Sequence, residues 1–192
     1  MAREWRLHAP HAGPGVPSDL VGDVRVVTND AAWIWAGGGP VLLSSVTGLA
    51  GPLTAGVVPP AELVEGHRVF LTRGEAWAVA PLPVVGDAQS IAVESVRLGS
   101  DWLTECVHAL APASSEGIAR EIAGWGPGLT PSGDDALMGY VLARYVTAGA
   151  PAEKEIADIV AVTHARSAEP SVSLINWASK GQSFAMVIAA LA

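Results

Sequence analysis

Up to about residue 98 the chain alternates short apolar runs with turn residues; beyond it, apolar residues recur at intervals of three and four. The first pattern suits strands with one buried face, the second helices with one buried stripe. Runs rich in Val, Ile and Trp, bounded by Asp or Gly, predict strands at DVRVVTND (23–30), AAWIWAG (31–37), PVLLSSV (40–46), LTAGVVP (53–59), HRVFLTR (67–73), EAWAVAP (75–81) and SIAVESVRL (90–98). Asn29-Asp30 reads as a hairpin turn, and Arg73-Gly74 as the join between two strands. Helices are predicted over 100–110, where Trp102, Leu103, Cys106, Val107 and Leu110 share a stripe behind an N-cap at Ser100, and over 114–124, ending at Gly124. Further helices are expected at 134–149, with Leu137, Val141, Leu142 and Tyr145 on one face, at 151–166 behind Pro151, and within 170–181 and 182–192. Strands first and helices afterwards favour an α+β fold over alternating βαβ units. The expectation is a mainly antiparallel sheet or small barrel in a lobe 1–98 and a helical lobe 99–192, sharing one core.

Composition narrows the function classes. Half of the residues are hydrophobic and 16% are charged, so a sizeable core is available and disorder is excluded. Eleven Lys and Arg against 19 Asp and Glu give a net charge of −8, with no basic cluster. This argues against nucleic acid and anionic membrane surfaces as partners. An anionic ligand must be held by local backbone dipoles and a few cations. Cys106 stands alone, which excludes an intrachain disulfide and disfavours a cysteine metal site. The start lacks a secretory apolar core, and the final nine-residue run FAMVIAALA is too short to span a bilayer, so a cytoplasmic location is expected. The apolar fraction leaves room for a homo-oligomer or for partner subunits.

The stretch GWGPGLTPSGDDALMG (124–139) departs from ordinary packing sequence. Turn formation and helix capping need one Ser, Thr or Asp; here Thr130, Ser132, Asp134 and Asp135 are all present among Gly126, Gly128 and Gly133. A glycine-rich turn entering a helix presents unpaired N–H groups in the positive potential of the helix dipole, which suits carboxylate or phosphate oxygens. Thr130 and Ser132 add hydroxyl donors. The two carboxylates have the opposite preference, for a cation, an N–H group or a proton to be removed. Together they fit a small-molecule substrate with an anionic end and an N–H end. The pattern is neither a Walker A loop, lacking its Lys, nor a dinucleotide fingerprint, lacking a βαβ unit. No cofactor is required; Mg²⁺ on Asp134 and Asp135 is an option, although adjacent helical residues point about 100° apart.

These residues resemble the signature of a bacterial family, formerly a domain of unknown function, that includes the small third subunit of the oxamate carbamoyltransferase of anaerobic allantoin breakdown. Gly124, Gly126, Gly128, Leu129, Thr130, Pro131, Ser132, Gly133, Asp134, Asp135, Leu137 and Gly139 match its first element, and RSAEPSVSLINWASKG (166–181) is similar to its second. The β-rich half from GGPVLLSSVTGLAGPLTAGVV onward resembles the family more weakly. Two departures bear on the substrate rather than the fold: Ser167-Ala168-Glu169 replaces a Thr-Thr pair after Arg166, and the chain is shorter than typical members between its halves. The resemblance implies carbamoyl transfer, or a supporting role in a multi-subunit transferase; a stand-alone enzyme acting on another small acid is a third option. Under it, Gly126, Gly128, Thr130, Ser132 and Gly133 hold the anion, and Asp134 or Asp135 orients or deprotonates the N–H group. Arg166 and Ser171 contact the other ligand end.

Other residues carry weaker expectations. His164 near a helix end is commonly solvated, though a proton carrier is conceivable. Arg166 is divided between an anion clamp and a salt bridge to an acid such as Glu169. Trp33, Trp35, Trp77, Trp102 and Trp177 are expected in the core, and Trp125, inside the glycine turn, is the exception, able to wall one side of a pocket. Cys106 is expected to be buried and inert. Ser44, Ser45 and Thr47 are candidates to line the site from the β side.

Overall fold

A computed structural model describes residues 3–77, 114–148 and 153–187. The fold is α+β: six strands close into a barrel, and helices follow. The chain divides into two compact units, Met1–Pro81 with Gln182–Ala192, and Leu82–Gly181. The expected strand at 90–98, the helix at 100–110 with Cys106, and the 98/99 boundary lie outside the described residues.

The strands are β1 (Glu4–Ala12), β2 (Asp19–Val27), β3 (Ala31–Ala36), β4 (Gly39–Ser44), β5 (Thr54–Ala55) and β6 (Arg68–Ala76). Around the barrel the order is β1-β5-β4-β3-β2-β6. Most pairings are antiparallel, while β1 runs parallel to β6 and β4 parallel to β5. The β2–β3 turn lies at Asn29-Asp30 as expected, fastened by Thr28, whose amide and hydroxyl both donate to the Ala31 carbonyl at 2.8 and 3.1 Å.

Two local readings are corrected. Arg73-Gly74 is not a turn, because β6 passes through it unbroken. Gly74 is needed there since a side chain would overlap the Pro10 carbonyl of β1, where the barrel closes. The strand β1 itself went unpredicted: Pro10 and two histidines mask its alternation, yet Ala9 and Ala12 reach the interior with no exposure.

The barrel core is small and aliphatic, formed by Ala9, Val24, Ile34, Val41, Leu43, Val69 and Leu71 among others. A narrow barrel leaves room for such side chains and little else. Trp33 and Trp35 were expected in this core. They instead flank Ile34 on the outer face and are half-buried, their rings 6.5 Å apart. Strand alternation puts Ile34 in and both indoles out.

The helical unit contains α1 (Ser115–Ile122), α2 (Ser132–Ala148), α3 (Glu153–Arg166) and α4 (Glu169–Ala178). Ser114 caps α1 by accepting from the Gly117 amide. Leu137, Val141 and Leu142 are buried along α2, and Tyr145 is half-buried beside them. Ile159 of α3 and Val172, Leu174 and Ile175 of α4 complete the apolar stripes. Gly181 ends the last helix at φ +72°, and a Cβ there would press on the Tyr145 ring at 2.5 Å. At the other end, Gly124 sits against Arg166 and Ser167, just before α4, while bonding Asp134 near the start of α2. Start therefore meets start and end meets end: α2 and α4 run side by side in the same direction.

Leu43, with no exposure at the barrel centre, tests the core. Leu43→Ala is expected to cost about 2–5 kcal/mol in chemical denaturation of the full chain; a cost below about 1 kcal/mol would mean that this interior is not close-packed.

Candidate functional site

The turn from Gly124 to Pro131 is shaped by three glycines at positive φ: Gly124 at +77°, Gly126 at +108° and Gly128 at +101°. Left-handed backbone of this kind suits glycine and few other residues. The turn folds back so that Gly126 stands 3.0 Å, at its Cβ position, from the Ser132 amide nitrogen, while Gly128 faces open space. Trp125, Gly126, Pro127 and Gly128 are exposed, and Leu129 and Thr130 are half-buried. Trp125, set apart from the other tryptophans as a side chain able to wall a pocket, is 47% exposed.

The amides at the start of α2 divide into two groups. Gly133 donates to the Trp125 carbonyl at 2.8 Å, and Asp134 and Asp135 donate to the Pro131 carbonyl at 2.8 and 3.1 Å. The Gly133 amide, expected to face an anion, is thus engaged inside the protein. Its glycine answers a packing demand, because a side chain would overlap the Ile122 carbonyl at the end of α1. Among the described residues the amides of Gly126, Gly128, Thr130 and Ser132 have no protein partner, and neither do the Thr130 and Ser132 hydroxyls.

The two carboxylates also part company. Asp134 is 2% exposed, and its Oδ1 accepts from the Gly124 amide at 2.8 Å; its Oδ2 is buried with no partner among the described residues. Asp135 is exposed. Protein nonetheless crowds its carboxyl enough that loss of solvation, and secondarily the charge of Asp134, push its pKa up to about 6. Among the described residues no group of three His, Cys, Asp or Glu side chains comes together to hold a metal.

Arg166 ends α3 and donates from Nη1 to the Arg120 carbonyl in the last turn of α1. That partner is a carbonyl and not the carboxylate of Glu169. Ser171 is 2% exposed on the first turn of α4, and its Oγ, like that of Ser167, is buried without a partner among the described residues. His164 is exposed in the last turn of α3. Ser44 serves its own strand end, donating to the Asp30 carbonyl and accepting from the Val46 amide. A separate recess of about 450 Å³ on the barrel is lined by Glu4, Asp23, Arg25, Glu65 and Arg68, with Arg68 paired to Asp23 at 3.0 Å.

The turn, α2, α3 and α4 all fall within one recognised stretch. Residues 122–192 match the family model described as oxamate carbamoyltransferase subunit AllH. This match supports the family suggested by the glycine-rich motif, and it covers the helices that hold Asp134, Asp135, Arg166 and Ser171. No curated protein and no solved structure matches the chain. Among the described residues, no helix is long and apolar enough to cross a membrane.

Sequence reasoning missed Ser167, which was noted as a departure from the family pattern; only its position beside Gly124 at 3.4 Å reveals it. Two expectations follow from the geometry. Gly133→Ala must displace backbone rather than a flexible side chain, and is expected to cost roughly 3 kcal/mol, read by denaturation; a neutral outcome would mean that α1 and α2 do not abut there. For Asp135 the raised pKa means that the folded chain binds the proton more tightly than the unfolded chain. Ionisation then opposes folding as pH climbs from about 4 to about 6. The melting temperature of Asp135→Asn should therefore gain on the wild type between about pH 3.5 and pH 7.5, whereas a pH-independent gap would show an ordinary carboxyl.

Proposed function

We propose that this chain is a subunit of an oxamate carbamoyltransferase-type enzyme, and that the start of α2 holds a small ligand with an anionic end and an N–H end. The observation carrying this reading is the family match over residues 122–192, because it centres on the helices that frame the turn. The partnerless amides of Gly126, Gly128, Thr130 and Ser132 support an anion cradle, since they lie in the positive potential of the α2 dipole. The hydroxyls of Thr130 and Ser132, likewise without a partner among the described residues, add donors. Gly133 contributes through backbone position and not through its amide. Arg166, with Nη1 on a carbonyl, retains its remaining N–H groups for an acceptor oxygen of the ligand.

In carbamoyl transfer the acceptor nitrogen attacks the carbonyl carbon of a carbamoyl phosphate. A C–N bond forms, the C–O bond to phosphate breaks, and the nitrogen gives up a proton. Backbone donors stabilise the oxygen charge that develops on the departing phosphate. Asp135 is the group suited to receive the proton: it is accessible, and a pKa of about 6 leaves it mostly ionised at neutral pH while raising its basicity above that of an ordinary aspartate. The family's description as a subunit supports a place among partner subunits, and the substrate is a small molecule in this reading.

Asp135→Asn separates chemistry from folding. In the assembled enzyme the variant is expected to lose turnover about 10²-fold or more, the span typical of a removed general base, with folding intact by melting temperature. Full turnover in the variant would make this chain a non-catalytic member of the assembly.

A further inference from the structure

The recess of about 450 Å³ on the barrel is built from strand-unit residues alone, and its lining is almost entirely charged. Part of that charge is settled within the protein. Glu4 of β1 and Asp23 of β2 both stand opposite Arg68 of β6, whose Nε lies 3.0 Å from Asp23 Oδ1. Cross-strand neighbours of opposite sign satisfy one another in such a row. Arg25 and Glu65 differ: they line the same recess, yet among the described residues neither has a hydrogen-bond or ion-pair partner for its side chain. Arg25 is also the extra residue of a β-bulge. Val24 pairs with Ile34 and Val26 with Trp33, so β2 carries one residue more than β3 at this point. Bulges at barrel rims re-aim a side chain. The turn bearing Glu65 is fastened to the residue before the bulge. There the Gly66 amide donates to the Val24 carbonyl at 2.9 Å, and the Val24 amide to the His67 carbonyl at 2.8 Å. Gly66, at φ +84°, has open space where a Cβ would project. Two unpaired and opposite charges are thus carried on one tied piece of backbone beside an open volume.

We propose that this recess is a second ligand site, for a small zwitterion with one carboxylate and one ammonium group, in which Arg25 receives the carboxylate and Glu65 the ammonium. The unpaired charges select that class. A simple anion satisfies Arg25 but is repelled by Glu65, and a simple cation meets the reverse difficulty. A multiply charged anion such as phosphate fares worse, because three acids line the recess against two arginines. The guanidinium of Arg25 offers a planar fork that matches a carboxylate, and the three donors of an ammonium suit Glu65 with Glu4 on the same lining. The volume falls within the roughly 300–1,000 Å³ of small-molecule pockets. Nothing in this site depends on the glycine turn, since no residue of the helical unit belongs to it.

The test titrates the isotope-labelled full chain with glycine, β-alanine and 5-aminopentanoate, whose charges stand progressively further apart, and reads amide chemical shifts. Butyrate and butylamine, with one charge each, are the controls. At least one zwitterion is expected to shift the amides of 24–26 and 65–68 and to bind about fivefold or more tightly than either control, the gain from a second partly exposed ion pair. Arg25→Gln and Glu65→Gln should each erase that advantage with the melting temperature unchanged, because both side chains are exposed and unpaired. Exchanging the two charges, R25E together with E65R, should restore it in part. Zwitterions that bind no better than butyrate and butylamine, or that shift other parts of the barrel, would overturn the proposal and leave a solvated charged surface. That ranking is made on the wild type, so a variant that fails to fold cannot protect the idea.

Discussion

The helical unit turns on one hydrogen bond, from the amide of Gly124 to the buried carboxylate of Asp134. Gly124 follows α1, Asp134 lies in the first turn of α2, and Arg166 and Ser167 pack against the Gly124 Cα ahead of α4. A carboxylate this deep is costly unless donors and dipoles surround it. Here a main-chain N–H and the start of α2 offset that cost, and the parallel start of α4 adds to the same potential. The bond therefore sets where three helices begin or end. It also explains why Gly124 must be glycine: φ is +77°, and a side chain would meet the Arg166 carbonyl at 2.8 Å.

That bond separates two residues which sequence alone treats as a pair. Neighbours on a helix diverge by about 100°, so turning Asp134 inward turns Asp135 out. The inner carboxylate is committed to structure through Oδ1, while its Oδ2 is buried without a partner among the described residues. The outer one is accessible and carries a pKa raised in part by its neighbour's charge. Two adjacent carboxylates thus stand in different surroundings, and the difference arises from burial, not from chemical identity.

Legibility in the sequence followed the strength of local signals. The four helices were readable because apolar spacing, a Ser cap, an N-terminal proline and terminal glycines agree with one another. Strands β2, β3 and β4 were readable for a similar reason, with Asn29-Asp30 marking a turn. The closure of the barrel was not, because it depends on Pro10 of β1 meeting Gly74 of β6, a contact between residues remote in the chain. The same limit applies at the site. The glycine-rich turn and both aspartates stood out, but which amides were already engaged depended on the Trp125, Pro131 and Ile122 carbonyls. Ser167 looked like a loss relative to a Thr-Thr pair, and only its burial beside Gly124 gives its hydroxyl significance. The indoles of Trp33 and Trp35 are large and apolar enough for a core, but strand alternation around Ile34, and not size, sends them outward.

A chain with a net charge of −8 has an evident difficulty in attracting an anion, and its few cations do not remove it. Arg166, whose Cβ and carbonyl lie against Gly124, has one N–H fastened to the Arg120 carbonyl. What remains is the main chain. Amide dipoles carry no net charge, add nothing to long-range attraction and act only at contact distance, so they favour a ligand of matching shape over anions in general. They act best where side chains are absent, and the exposed segment around Gly126 and Gly128 meets that requirement with open space at Gly128. On the proposed reading, an acidic surface with a bare stretch of backbone is selective for a small ligand that also satisfies the carboxylates. In that reading the glycines and the aspartates belong to one device, in which the glycines admit the ligand's charge and the aspartates select what lies at its other end.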